Sequence, residues 1–152
     1  MISKVVSGAQ TGVDRAALDA ALALGIPCAG WCPQGRLAED GAVDERYPLQ
    51  ETPSRAYEQR TEWNVRDSDG TLILKQGLLT GCTAKTVEFA RHQSKPCLIV
   101  DLADSPDPQA VRAWISANRV RTLNVAGPRE SVRPGIYAQA LAFLEELFGS
   151  GV

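Results

Sequence analysis

Three short runs in this chain combine glycine with hydroxyl, amide and basic side chains, and each leads into a helical pattern. They are Ser7-Gly8-Ala9-Gln10-Thr11-Gly12-Val13-Asp14-Arg15, Leu79-Thr80-Gly81-Cys82-Thr83-Ala84-Lys85-Thr86, and Gly127-Pro128-Arg129-Glu130-Ser131 followed by Pro134-Gly135. The first turn of a helix leaves its N–H groups without intrahelical partners and carries a positive partial charge, so such runs suit an anion. In the first, Gly8 and Gly12 allow close backbone approach, Thr11 brings a hydroxyl and Gln10 an amide. It has neither the GxGxxG spacing of a nicotinamide site nor the lysine of a Walker loop, so hydride transfer and ATP hydrolysis are weak readings. Asp14 and Arg15 either lock this turn by a salt bridge or reach the ligand. In the second run Thr80, Thr83 and Thr86 recur every third residue around a helix start, with Lys85 beside them. Capping explains one threonine but not three, which favours phosphate binding. A reactive role for Cys82 is the weaker reading. The third run is either a capped helix start or a ligand contact through Arg129.

The elements that must position these runs alternate between apolar strands and helical patterns, as in a parallel sheet covered by helices on both faces, a single doubly wound α/β domain. Strands are expected at Ile2 to Ser7, Ile26 to Trp31, Gly70 to Leu74, Cys97 to Asp101 and Thr122 to Ala126. Helices are expected at Val13 to Leu24, Ser54 to Val65, Thr83 to His92, Pro106 to Asn118 and Gly135 to Phe148. Strand-to-helix turns of a parallel sheet share one edge, so the three runs should converge there on a phosphate-bearing ligand. Arg60, Asn64 and Asp67 lie on one helical face beside the second run, either as ligand contacts or as a solvated face. Trp31 either packs in the core or stacks on a planar ring. Pro33 to Pro53 has no period and is much longer than a usual βα connection, which makes it a candidate lid.

Composition narrows the function further. With 152 residues, 44% of them hydrophobic and a net charge of -2, the chain suits one globular domain and lacks the field that attracts nucleic acid. No apolar run spans a bilayer, and the start of the chain meets Gly8 too soon for a secretion signal, so a cytoplasmic location is expected. Cys28, Cys32, Cys82 and Cys97 form no CxxC pair, and His92 is the sole histidine, which disfavours a metal knuckle or a histidine triad. Cys28 and Cys32, four apart on one expected strand, should share a buried face.

The runs at 7–19, 30–36 (GWCPQGR), 39–41 (EDG), 60–65 (RTEWNV), 79–83 and 124–131 together resemble the molybdenum cofactor carrier protein family of the wider SLOG group, whose fold is Rossmann-like. The resemblance implies a homo-oligomer, dimer or tetramer, that binds and shields molybdenum cofactor (molybdopterin), a pterin dithiolene with one phosphate, without protein ligands to the metal. Carried onto this sequence, it implies ligand-facing roles for Gly8, Gln10, Thr11, Gly12, Arg36, Thr80, Gly81, Thr83 and Lys85, with Arg60, Asn64 and Thr86 beside them. Ala9 and Cys82 stand where glycine is common in related sequences. The related cytokinin-activating phosphoribohydrolases, which cleave a base from a nucleoside monophosphate, suggest a rival in which Arg60 is catalytic. Their glutamate position is Thr86 here, and Glu88 is the nearest substitute, so binding is favoured over catalysis. A nucleotide-sensing module is a third reading.

Overall fold

The computed structural model describes residues 2–149. Five parallel strands form the central sheet: β1 (Lys4–Val6), β2 (Cys28–Ala29), β7 (Gly70–Lys75), β8 (Cys97–Asp101) and β9 (Thr122–Ala126), in the spatial order β2-β1-β9-β7-β8. Helices α1 (Val13–Ala23), α2 (Tyr57–Arg66), α3 (Gly81–His92), α4 (Pro108–Ala117) and α5 (Ile136–Gly149) cover it. Counted from β9 as the first strand, the order becomes 3-2-1-4-5, that of a doubly wound dinucleotide fold. The winding is therefore Rossmann-like with the chain opened at a different connection. The crevice where strand order reverses falls between β9 and β7.

Alternation along the strands sorts the side chains into two layers. Val5, Leu72, Leu74, Val100, Leu123 and Val125 pack with α1, α4 and α5 in the main core. In α1 the core-facing positions are small (Ala16, Ala17, Ala20, Ala21), and Phe143, Leu144 and Leu147 of α5 share that core. Each fully buried large side chain contributes about 1.5–3 kcal/mol. The alternate positions point under α2 and α3 and are partly polar: Asn124 Nδ2 donates to Thr71 Oγ1 across the β9/β7 register at 3.2 Å.

Two expectations fail at the second strand. Gly30 has φ 152, and a Cβ there would stand 1.9 Å from the Ser7 carbonyl oxygen. The chain breaks at this point into β2, on the main sheet, and β3 (Trp31–Cys32), which pairs with β6 (Gln50–Glu51). Cys28 and Cys32 consequently lie on different strands. The lid expectation for 33–53 also fails. Within it β4 (Leu37–Ala38) and β5 (Gly41–Ala42) form a small hairpin. Ala38, Val43 and Tyr47 pack with Leu18 of α1, and Tyr47 donates its hydroxyl to Asp19 at 2.5 Å. Arg15 fastens the segment through Asp40 at 2.9 Å, so Arg15 does not pair with Asp14. The segment is a strap latched onto α1.

Candidate functional site

A cleft of about 120 Å³ opens at the carboxyl ends of β9 and β7, at the switch point. Its walls come from the turn after β1 (Gly8, Gln10), from α2 (Tyr57, Arg60, Thr61, Asn64), from the start of α3 (Thr80 to Thr83, Thr86) and from Asn124 through Arg129. No residue of 33–53 lines it.

The three helix starts are not equivalent. At α5, Glu130 folds back and accepts from the Gly135 amide at 2.6 Å and the Tyr137 amide at 3.0 Å, which caps that end with the chain's own carboxylate. At α1, the Val13 amide donates to the Pro128 carbonyl and the Arg15 amide to the Gln10 carbonyl. Glu39 reaches in from the strap, accepting from the Thr11 hydroxyl, from the Ser131 hydroxyl at 2.5 Å and from the Ser131 amide at 3.2 Å. Desolvation pushes the Glu39 carboxyl up, but the hydrogen bonds from Ser131 and Thr11 outweigh it and hold the group below its ordinary range. Only α3 is open. Its N-cap residue, Thr80, makes no side-chain cap, its first turn holds no acidic residue, and the Gly81, Cys82 and Thr83 amides have no partner among the described residues.

Facing that open end is a buried polar floor. Arg60, 4% exposed, donates through Nη1 to the Gly8 carbonyl at 2.8 Å and through Nε to Thr61 Oγ1 at 3.2 Å. Its Nη2 has no hydrogen-bond partner among the described residues, and neither has Gln10 Nε2, whose amide oxygen accepts from the Thr11 and Glu39 backbone N–H groups. No buried side-chain nitrogen or oxygen among the described residues lacks a partner, so these two donors are open to the cleft, where a ligand acceptor can reach them. Gly8 lets Arg60 lie there, because a Cβ at residue 8 would meet Nη1 at 2.1 Å. Asp14 completes the floor, 7% exposed, with Oδ2 3.6 Å from Arg60 Nη1. Burial pushes its carboxyl up to about 6, against the opposing pull of Arg60 and of the Gln10 backbone.

Of the residues singled out in the sequence, Gly8, Gln10, Arg60, Asn64, Thr80, Gly81, Thr83 and Thr86 line this cleft. Asn64 does so by its edge: its amide accepts from the Trp31 N–H at 2.8 Å and donates to the Trp31 carbonyl at 3.0 Å. The Thr86 hydroxyl donates to the Cys82 carbonyl at 2.8 Å. Thr11, Gly12, Arg36 and Lys85 lie outside. Thr11 is held between Glu39 and the Glu130 amide, and Gly12 makes room for the Pro128 carbonyl, 2.4 Å from where a Cβ would stand. Arg36 spends its guanidinium on the Val43, Asp44 and Tyr47 carbonyls, and Lys85 faces Glu58 at 3.9 Å. Glu88 is also outside, and the Trp31 ring is taken edge-on by Trp63, with its N–H on Asp67. Asn124 and Tyr57 were not singled out. The signal for Asn124 is an amide in the middle of an otherwise apolar strand beside a turn. Ala9, with φ 62, adopts the left-handed backbone that glycine favours.

Among curated proteins no sequence matches this chain. A crystal structure of a "Putative molybdenum carrier protein" from Syntrophus aciditrophicus SB is similar at 47% identity and a TM-score of 0.93, covering 98% of this chain and 96% of that one. The family model for the circularly permutated YpsA SLOG family matches residues 5–148, in agreement with a doubly wound sheet whose central strand, the first of the winding, is the last in sequence. The chain belongs to the circularly permutated YpsA SLOG family.

Proposed function

We propose that this protein binds and carries a phosphate-bearing small molecule of the molybdenum cofactor type, its phosphate seated on the amino end of α3. One observation carries this reading: the vacant amides of Gly81, Cys82 and Thr83 open onto the same cleft as the partnerless Nη2 of the buried Arg60. That donor set, amides and a guanidinium with the Thr83 hydroxyl beside them, fits a phosphate. The residues that would hold the cofactor are therefore Gly81, Cys82, Thr83, Arg60 and Gln10. Among the described residues no group of three or more His, Cys, Asp or Glu could hold a metal ion. The 47% identical structure is named for molybdenum carriage, which points the same way.

A homo-oligomer is part of the proposal. The cleft is below the roughly 300–1,000 Å³ of enclosed small-molecule sites. Leu78, 85% exposed, lies on the turn into α3, and Val132, 48% exposed, lines the cleft, so a second copy would cover apolar surface near the ligand. The direct test is to purify the protein from a cofactor-replete extract and assay bound molybdenum and pterin. Stoichiometric pterin phosphate is expected. Protein that emerges empty and fails to take up added cofactor overturns the reading.

A second reading, a nucleoside-monophosphate N-glycosidase, is favoured by one feature, the carboxylate of Asp14 beside Arg60 in the cleft. Release of free base that disappears in Arg60→Ala would establish it, and no turnover across the pH range removes it.

A further inference from the structure

We propose that Arg129 is a second anion anchor of the cleft, which therefore takes a diphosphate: one phosphoryl group on the amino end of α3 and its neighbour on the Arg129 guanidinium. This rests on the phosphate reading above and adds the class of ligand. A diphosphate end, as on a nucleoside diphosphate, and a diphosphate bridge, as between a pterin and a nucleotide, share this chemistry.

Three charged side chains line the cleft, those of Asp14, Arg60 and Arg129. Asp14 accepts from the Gln10 and Gly127 backbone N–H groups and stands 3.6 Å from Arg60, so those two charges offset each other. Arg129 supplies the excess positive charge. The α3 amides and Arg60 Nη2 provide for one phosphoryl group without it, and a further guanidinium in the same cleft suits a second. The cleft holds only about 120 Å³, so two anionic groups within it must be adjacent, as those of a diphosphate are.

The Arg129 side chain is half-exposed and makes no hydrogen bond among the described residues. Its nearest acid is Glu39, 3.9 Å from Nε and beyond hydrogen-bond reach. Glu39 does not need it, because the Thr11 hydroxyl and the hydroxyl and amide of Ser131 already hold that carboxylate. The α5 start does not need it either, since Glu130 is the cap there. Its backbone, by contrast, is fixed. The Arg129 carbonyl accepts from the Val132 amide at 3.1 Å and the Arg133 amide at 3.2 Å, and the Pro128 carbonyl before it takes the Val13 amide at 3.3 Å. One turn on, Arg133 lies against Gly77 of the turn after β7, where a Cβ would stand 2.3 Å from its Nη2. A guanidinium carried on so fixed a backbone has only its own rotamers to order when it closes on an anion.

The test is amide NMR titration of the full chain with inorganic phosphate and with inorganic pyrophosphate, in buffer free of divalent cations. Calorimetry in the same buffer compares guanosine 5′-diphosphate with diguanosine 5′,5′-diphosphate. Pyrophosphate should bind about tenfold more tightly than phosphate, the gain of one charge-assisted contact. Arg129→Ala should bring the two level and leave phosphate itself bound as before, with a thermal melt reporting that the variant folds. Arg91→Ala removes the same charge from the last turn of α3 and should keep the gap. A tighter guanosine diphosphate identifies a diphosphate end as the source, and a tighter diguanosine probe identifies a bridge. Pyrophosphate no tighter than phosphate, or a gap that survives Arg129→Ala or closes equally in Arg91→Ala, overturns the proposal. If phosphate still shifts the Gly81 to Thr83 amides in that case, the phosphate reading survives alone; if it does not, both fall.

Discussion

Asp14 and Arg60 are the residues on which the site's electrostatics turn. Arg60 is the counterion of a buried carboxylate, so Arg60→Ala should destabilise the fold by about 3 kcal/mol near neutral pH, the scale of a broken buried pair. Chemical denaturation should show a smaller loss at about pH 5, where the lone carboxyl can stay protonated. The sign for Asp14 itself follows from its raised pKa. The folded state holds the Asp14 proton up to about 6, while the unfolded chain releases it near the ordinary carboxyl value of 3.8. Between those values the native state binds more protons, so Asp14 lowers stability as pH rises, by up to about 3 kcal/mol across the window. Relative to the unaltered protein, Asp14→Asn should gain by that amount from about pH 4 to pH 7. A gap that does not change with pH would mean that Asp14 titrates normally. Gly8→Ala is the sharper probe of position: its methyl would displace Arg60 Nη1, and ligand affinity should fall about tenfold or more with little change in α2 itself.

At the scale of elements, Gly30 and Glu130 set the frame. Gly30→Ala places a methyl on the Ser7 carbonyl in a backbone region that L-residues rarely enter, and a loss above about 3 kcal/mol is expected by denaturant titration. Glu130→Ala uncaps α5 and should lose about 1 kcal/mol, with faster amide exchange at Gly135 and Tyr137. The long elements were legible in sequence. The runs at Gly70, Cys97 and Thr122 are apolar, bounded by turn residues, and stand where expected within a residue. The break at Gly30 was signalled by a lone glycine inside a strand pattern, but its cause, a carbonyl from β1, is not local. The strap was illegible because its pairings are two residues long, too short to show a period. The convergence of glycine-bearing turns was legible from alternation alone. Which helix ends the chain caps itself was not, since the Val13 amide at the α1 start is taken by the carbonyl of Pro128, at the other end of the sequence. Arg36 and Lys85 read as ligand charges for the same reason, although carbonyls and a glutamate use them at home.

For the whole molecule, opening the winding at a different connection leaves the crevice where doubly wound sheets put it, at the reversal between β9 and β7. What changes is the chain order of its walls, so that the turn after the last strand and the turn after the first face each other across the α1 start. Ligand binding to this native crevice should raise the melting temperature in proportion to the logarithm of free ligand, and Gly8→Ala should blunt that rise. The central claim is that of three helix starts only α3 is left for an anion. A residue-resolved amide NMR titration with inorganic phosphate tests it most directly. The Gly81, Cys82 and Thr83 amides should shift in a saturable way while Gly135 and Tyr137 stay still. Shifts centred on the α5 start, or none at α3, would contradict it.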